Sequence, residues 1–229
     1  MPQFGLICLA NSRKLGGRCV AGLKLDGSGW LRPIGTLPNG TLYPPDYTLN
    51  DGTEVGPLDV IQISFRGPRP APHQPENYVI DGTSWSLLAR PMSKNHVHVL
   101  QSAVLRGSEL LGGFSDRVPY DSFLKKQAAT SLALIAPETM DVYDQMSYRG
   151  RPQARCRFFL GSGANTYLYD LAITDPEWEK AVIQQGFRTL RQTDAKFLVT
   201  ISLGEPFGLE CYKFAAAIMP LPNSIASAF

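Results

Sequence analysis

Near the amino terminus, Asn11-Ser12-Arg13-Lys14-Leu15-Gly16-Gly17-Arg18 sets three cations and two small polar side chains beside a pair of glycines. Arginine and lysine bind phosphate oxygens through charge-assisted hydrogen bonds, and the backbone amides of a glycine turn can add to them. The spacing is not that of a Gly-x-x-x-x-Gly-Lys-Ser/Thr phosphate loop. Strand alternation then puts Arg18 on one face with Val20 and Gly22, and Trp30 on one face with Arg32. A tryptophan near arginines suits stacking on a base with contact to backbone phosphates. The competing reading is a solvated hairpin face with Trp30 in the core.

A second group is Arg149, Arg151, Arg155 and Arg157, followed by Tyr167 and Tyr169. Arg155 and Arg157 point to one side of a strand, and the two tyrosines to one side of the next. If those sides coincide, they form an Arg/Tyr platform for a single strand. Otherwise they are cross-strand packing on a solvated sheet. Lys213 follows the glycine-bearing stretch Ser202–Gly208, which reads as a turn, and could reach a ligand from the last strand.

Signals for catalysis and metal binding are weak. The three histidines, His73, His96 and His98, show no His-x-x-x-His spacing, and no Gly-x-Ser-x-Gly elbow occurs. The four cysteines, Cys8, Cys19, Cys156 and Cys211, lack the paired spacing of a zinc site and read as reduced, packed thiols. No catalytic residue, metal ligand or cofactor is therefore expected.

Composition bounds the rest. Hydrophobic residues make up 44% and charged residues 18% of 229, enough for a real core. The net charge of +2 means that any nucleic-acid footprint is a local patch. The charges are uneven. Met1 to Pro45 holds five cations against Asp26 alone, and Gln145 to Tyr169 holds four arginines and no acid. No leader and no membrane-spanning run is recognisable, so a cytoplasmic protein without membrane contact is expected.

The elements that would position these residues are mostly strands. Phe4–Ala10 is a continuous apolar run, as in a strand buried on both faces, and 11–17 reads as a loop. Further strands fall at 18–24, 30–34, 58–65 and 78–80, then at 131–136, 155–160, 166–173, 196–203 and 210–220. Apolar residues at three-to-four spacing predict a helix over 93–112 ended by Gly112-Gly113, and another over 119–127. Thr174 reads as the cap of a helix that begins at Pro176. The chain divides into an amino-terminal half (1–92), a helical connector (93–128) and a carboxy-terminal half (129–229). Each half suffices for a five-stranded barrel of the oligonucleotide-binding (OB) type, with one larger sandwich as the alternative.

The chain resembles the bacterial dual OB domain-containing family. The resemblance rests on Leu6–Lys14, Gly17–Gly22, Gly29–Pro33 and Gln74–Asn77, then on Ser131–Ile135, Leu171–Pro176, Ser202–Phe207 and Tyr212-Lys213. It implies a mostly β fold of two OB-like barrels joined by the connector. It also implies nucleic-acid binding and a place in bacterial genome-defence gene sets, and supplies no catalytic residues. Three functions follow as expectations. The first is a non-enzymatic binder of single-stranded or structured nucleic acid, with Arg13, Lys14, Arg18 and Arg32 on phosphates and Trp30, Tyr167 and Tyr169 stacking. The second is a scaffold for a nuclease, helicase or ATPase partner. The third is a small-nucleotide sensor that uses Asn11–Arg18.

Overall fold

The computed structural model describes residues 1–147 and 150–229. Chain order begins with β1 (Gln3–Lys14), β2 (Gly17–Lys24), β3 (Trp30–Ile34), the single turn α1 (Pro44–Tyr47), β4 (Val60–Pro68), β5 (Asn77–Ile80) and β6 (Ser86–Ala89). The order β1-β2-β3-β5-β4 closes because β4 also pairs with β1, and β3 runs parallel to β5. This is a five-stranded Greek-key barrel of the OB type.

A connector of short elements follows. It contains a 3-10 turn at Lys94–His96, α2 (Val97–Ala103), β7 (Arg117–Pro119) and α3 (Tyr120–Lys125). The helix expected over 93–112 ends at Ala103. Val104 instead bridges to Leu134, and Leu110 is buried in the second barrel's core. A competing tertiary pairing thus overrides the apolar spacing.

The second barrel comprises β8 (Leu132–Ile135), β9 (Thr139–Met146), β10 (Pro152–Leu160), β11 (Tyr167–Ile173), α4 (Pro176–Gln185), β12 (Arg188–Arg191), β13 (Phe197–Phe207) and β14 (Glu210–Pro220), before the terminal turn α5 (Asn223–Ala226). β8 pairs with β13 and β9 with β10, so β8 and β9 act as one first strand broken at Ala136-Pro137. A proline donates no ladder hydrogen bond and favours such a break. With that strand counted once, the circuit β9-β10-β11-β14-β13-β8 repeats the first barrel's order, including a parallel β11–β14 pair. β7 and β12 are additions outside the circuit.

The fold is therefore two OB-like barrels with a short helical connector, as the resemblance implies, and not one sandwich. Two local readings change. The segment 11–17 is not a loop: β1 continues to Lys14, and a two-residue turn at Leu15-Gly16, with φ of 45° and 81°, reverses the chain. Two positive φ values match the turn that the strand twist favours, and Gly16 adopts its own at no steric cost. The cap of α4 is Asp175 rather than Thr174, its carboxylate accepting from the amides of Glu177 and Trp178.

Each barrel has its own core, around Trp85 and Phe65 in the first and Phe158 and Tyr169 in the second. A third apolar cluster joins Ile7, Leu9, Ala21 and Leu23 of the first barrel to Leu134, Leu198, Ala216 and Met219 of the second. That seam explains why β1, β13 and β14 are apolar without alternation: they are buried on both faces.

Candidate nucleic-acid interface

In an OB barrel the outer face of the second and third strands, with the loops joining strands one to two and four to five, forms the usual ligand surface. In the first barrel that face lies on β2 and β3. Its outward residues are Cys19, Ala21, Leu23, Trp30 and Arg32. Ala21 and Leu23 belong to the seam, and Trp30 packs against it half-buried.

Arg32 is 2% exposed. Its Nη2 donates to Glu76 Oε1 (3.3 Å), Ser131 Oγ (2.6 Å) and Ser202 Oγ (3.3 Å), and its Nη1 to Cys19 Sγ (3.1 Å). Ser131 also donates its hydroxyl to Glu76. One arginine thus ties the first barrel to two serines of the second, and the phosphate contact expected of Arg32 is closed off by burial.

The loops of that barrel are equally engaged. The amide of Arg13 donates to the carbonyl of Thr174, and its side chain pairs with Glu179 at 2.7 Å. Lys14 Nζ pairs with Glu205 Oε1 at 2.9 Å, and His73 Nε2 lies 3.0 Å from Glu205 Oε2. Gln74 donates to the carbonyl of Leu203. Burial raises the Glu205 carboxyl, but the His73 hydrogen bond and the Lys14 charge outweigh it and hold the group at about 2. Asn11 is buried and donates to Glu54 and to the carbonyl of Val55, Ser12 bonds the Cys19 carbonyl, and Arg18 pairs with Glu54 at 3.1 Å. Arg13 and Lys14 thus clasp the second barrel while Asn11, Ser12 and Arg18 are held within the first, and each of the three cations faces an acid distant in sequence.

In the second barrel the corresponding face, on β10 and β11, is open. The ladder sets Arg157 opposite Asp170, Phe158 opposite Tyr169, and Phe159 opposite Leu168. The arginines therefore face away from Tyr167 and Tyr169, and the expected Arg/Tyr platform does not form. Tyr169 is buried, its hydroxyl donating to the carbonyl of Ser108, and Tyr167 stacks on Phe114 with centroids 4.1 Å apart.

What shares the outer face instead is Arg155, Arg157 and Phe159 on β10, Leu168 and Asp170 on β11, and Tyr143 on β9, which lies opposite Arg155. Phe159 is 62% and Leu168 49% exposed. The Arg157 guanidinium lies 5.2 Å over the Tyr143 ring. Asp170 accepts from Arg155 Nε (2.8 Å), Arg157 Nη2 (3.2 Å) and Tyr143 Oη (2.5 Å). Burial opposes its charge, yet these bonds keep its carboxyl below the usual range.

Toward one end, that face runs into a cleft of about 660 Å³ between the β9–β10 and β13–β14 hairpins. Its walls include Met146, Phe207, Tyr212 and Phe214, and its polar lining includes Gln145, Gln153 and Arg155. Gly204 permits one wall, since a Cβ there would sit 2.5 Å from the Phe214 ring. Beside it, Arg117 covers the Tyr212 ring at 5.0 Å and pairs with Asp116. Lys213, between the cleft-facing Tyr212 and Phe214, is almost fully buried, lies 5.7 Å over the Tyr169 ring, and donates to the carbonyls of Gly113 (2.9 Å) and Ser115 (2.8 Å). Burial lowers its ammonium to about 8 against the pull of Asp116 and Glu109. Arg151 stands exposed on the β9–β10 loop, and Arg149 lies outside the described residues.

Among the sequence-predicted residues, the structure brings Arg151, Arg155, Arg157 and Lys213 to one side of the second barrel. It keeps Asn11, Ser12, Arg13, Lys14, Arg18, Trp30 and Arg32 in or beside the first. Tyr143, Phe159, Leu168 and Arg117 went unread, and Tyr212 was noted only beside Lys213 and given no role. Phe159 was legible, since it alternates with Arg155 and Arg157 on one strand. Among the described residues no cluster of three or more His, Cys, Asp or Glu could hold a metal ion. Among the same residues no helix is long and apolar enough to cross a membrane.

A family model described as a dual OB-containing domain matches residues 5–218. Neither the curated proteins nor the solved structures include one that matches the chain.

Proposed function

Since the chain belongs to the dual OB-containing domain family, we propose that it binds single-stranded nucleic acid on the β10–β11 face and adjoining cleft of its second barrel. The observation that carries this reading is the asymmetry between barrels: one ligand-type face is consumed by the seam, and the other is open. The open face combines an exposed aromatic ring, arginine planes held over tyrosines, and two hairpin loops, the elements from which sequence-tolerant strand binding is built. The first barrel then serves as a rigid support.

The test is titration of a mixed-sequence single strand at low salt against the wild type, Phe159→Ala and Arg13→Ala. The expected result is binding that Phe159→Ala weakens and Arg13→Ala leaves unchanged. Absence of wild-type binding would dismiss the proposal. A partner protein is the second reading, favoured by Met146, Phe207 and Leu209, large apolar side chains exposed near the hairpin tips beside the cleft. Stable co-purification with another chain, without strand affinity, would select it.

A further inference from the structure

The cleft between the β9–β10 and β13–β14 hairpins differs in chemistry from the strand face beside it. Among the described residues, Arg117, Arg155 and Lys213 line it together with the carboxylates Asp116, Asp170 and Glu205. A phosphate placed there would meet like charges beside opposite ones, which reduces its net attraction. A neutral heterocycle meets no such opposition. It needs an apolar slot and fixed donors and acceptors along its edge, and both are present.

Met146, Phe207, Tyr212 and Phe214 supply the apolar walls. Gln153 accepts from Arg155 through Oε1 (3.2 Å), which fixes the orientation of its amide and leaves the NH2 group to donate. Lys213 takes no part in that edge, since its ammonium donates to the carbonyls of Gly113 and Ser115 and lies 5.7 Å over the buried Tyr169 ring. Gln145 stands exposed at the rim with both amide functions. Arg155 and Asp170 hold one another at 2.8 Å, so their remaining donor and acceptor positions are preset.

We propose that this cleft takes the edge of one unstacked nucleobase, so that the chain discriminates among single strands by sequence. The inference rests on the nucleic-acid reading above. A base farther along the strand would stack on Phe159, about 13 Å from Arg155 along β10, where base identity is immaterial, while the cleft supplies selectivity. A pocket of this kind distinguishes bases because a wrong edge leaves donors and acceptors desolvated without partners.

The experiment measures the affinity of short homopolymeric single strands of each of the four bases for the wild type, Gln153→Ala, Gln145→Ala and Phe159→Ala. The expected wild-type spread between best and worst homopolymer is about tenfold or more, the scale of one well-made base contact. Gln153→Ala should narrow that spread while leaving the weakest strand's affinity within about twofold, a shift below the scale of one base contact. Phe159→Ala should lower all four alike. Equal wild-type affinities, or a spread that neither glutamine substitution narrows, would overturn the base pocket and leave strand binding standing. Failure of every strand to bind the wild type would overturn both.

Discussion

Phe159 and Leu168 stand directly opposite each other across the β10–β11 ladder, both with their side chains in solvent. A cross-strand apolar pair on a water-facing sheet gains nothing from the barrel's core, so its contribution should appear in binding rather than in folding. Phe159→Ala should therefore lower strand affinity by ~1–3 kcal/mol, the range for loss of one stacked base. Its urea-unfolding midpoint should stay near that of the wild type. A collapse of the midpoint without loss of affinity would assign Phe159 to structure instead.

Arg157 and Arg13 are both about half exposed and both paired with an acid, yet they lie on different barrels. If strands follow the β10–β11 face, Arg157→Gln should reduce the slope of log affinity against log salt by ~0.7, one phosphate contact's worth. Arg13→Gln should leave the slope unaltered. The opposite pattern would move the interface to the clasp.

The Arg32–Glu76 pair is the polar centre of the seam. Arg32→Met leaves the Glu76 carboxylate buried without its cation, which costs ~3–5 kcal/mol. The double variant Arg32→Met/Glu76→Gln should recover part of that loss, because no uncompensated charge remains. Denaturant midpoints of the three proteins measure it, and a double variant no better than Arg32→Met would show the pair's charge to be irrelevant.

Glu205 supplies a pH signature. Its folded carboxyl, at about 2, titrates below the 4.5 of the free group, so the unfolded chain binds the proton first. Its stabilising effect is accordingly complete above pH 4.5 and is lost as pH falls from there toward 2. The thermal midpoint of the wild type should exceed that of Glu205→Gln by a constant margin above pH 5, and the margin should shrink over that acid window. A margin that does not change across the window would mean that the Lys14–Glu205–His73 contacts do not favour the charged form.

Much of the fold was legible because glycine turns and apolar runs act locally. Both hairpins, the closing strands and the start of α4 follow from neighbours in sequence. β9 was obscured by Asp141 and Asp144, which lower strand propensity, and by the break at Pro137. β12 is four residues long at a sheet edge, with too little pattern to recognise.

The site was legible only in part, for two reasons. Local charge counting found no acids beside Arg13, Lys14 and Arg18, but Glu179, Glu205 and Glu54 come from far along the chain to pair with them. Facing across a hairpin depends on register, and the six residues from Gly161 to Thr166 do not fix whether Tyr167 or Leu168 lies with the arginines. Arg155 and Arg157 do share one face of β10, but the tyrosines expected beside them lie on the other.

The seam that covers the first barrel's ligand face also sets the valency of the molecule. If strands bind as proposed, a chain with two barrels but one open face is monovalent: it would engage a strand once and gain no avidity from its second module. Lengthening the strand then adds statistical sites for further copies of the protein rather than tighter grip by any one of them.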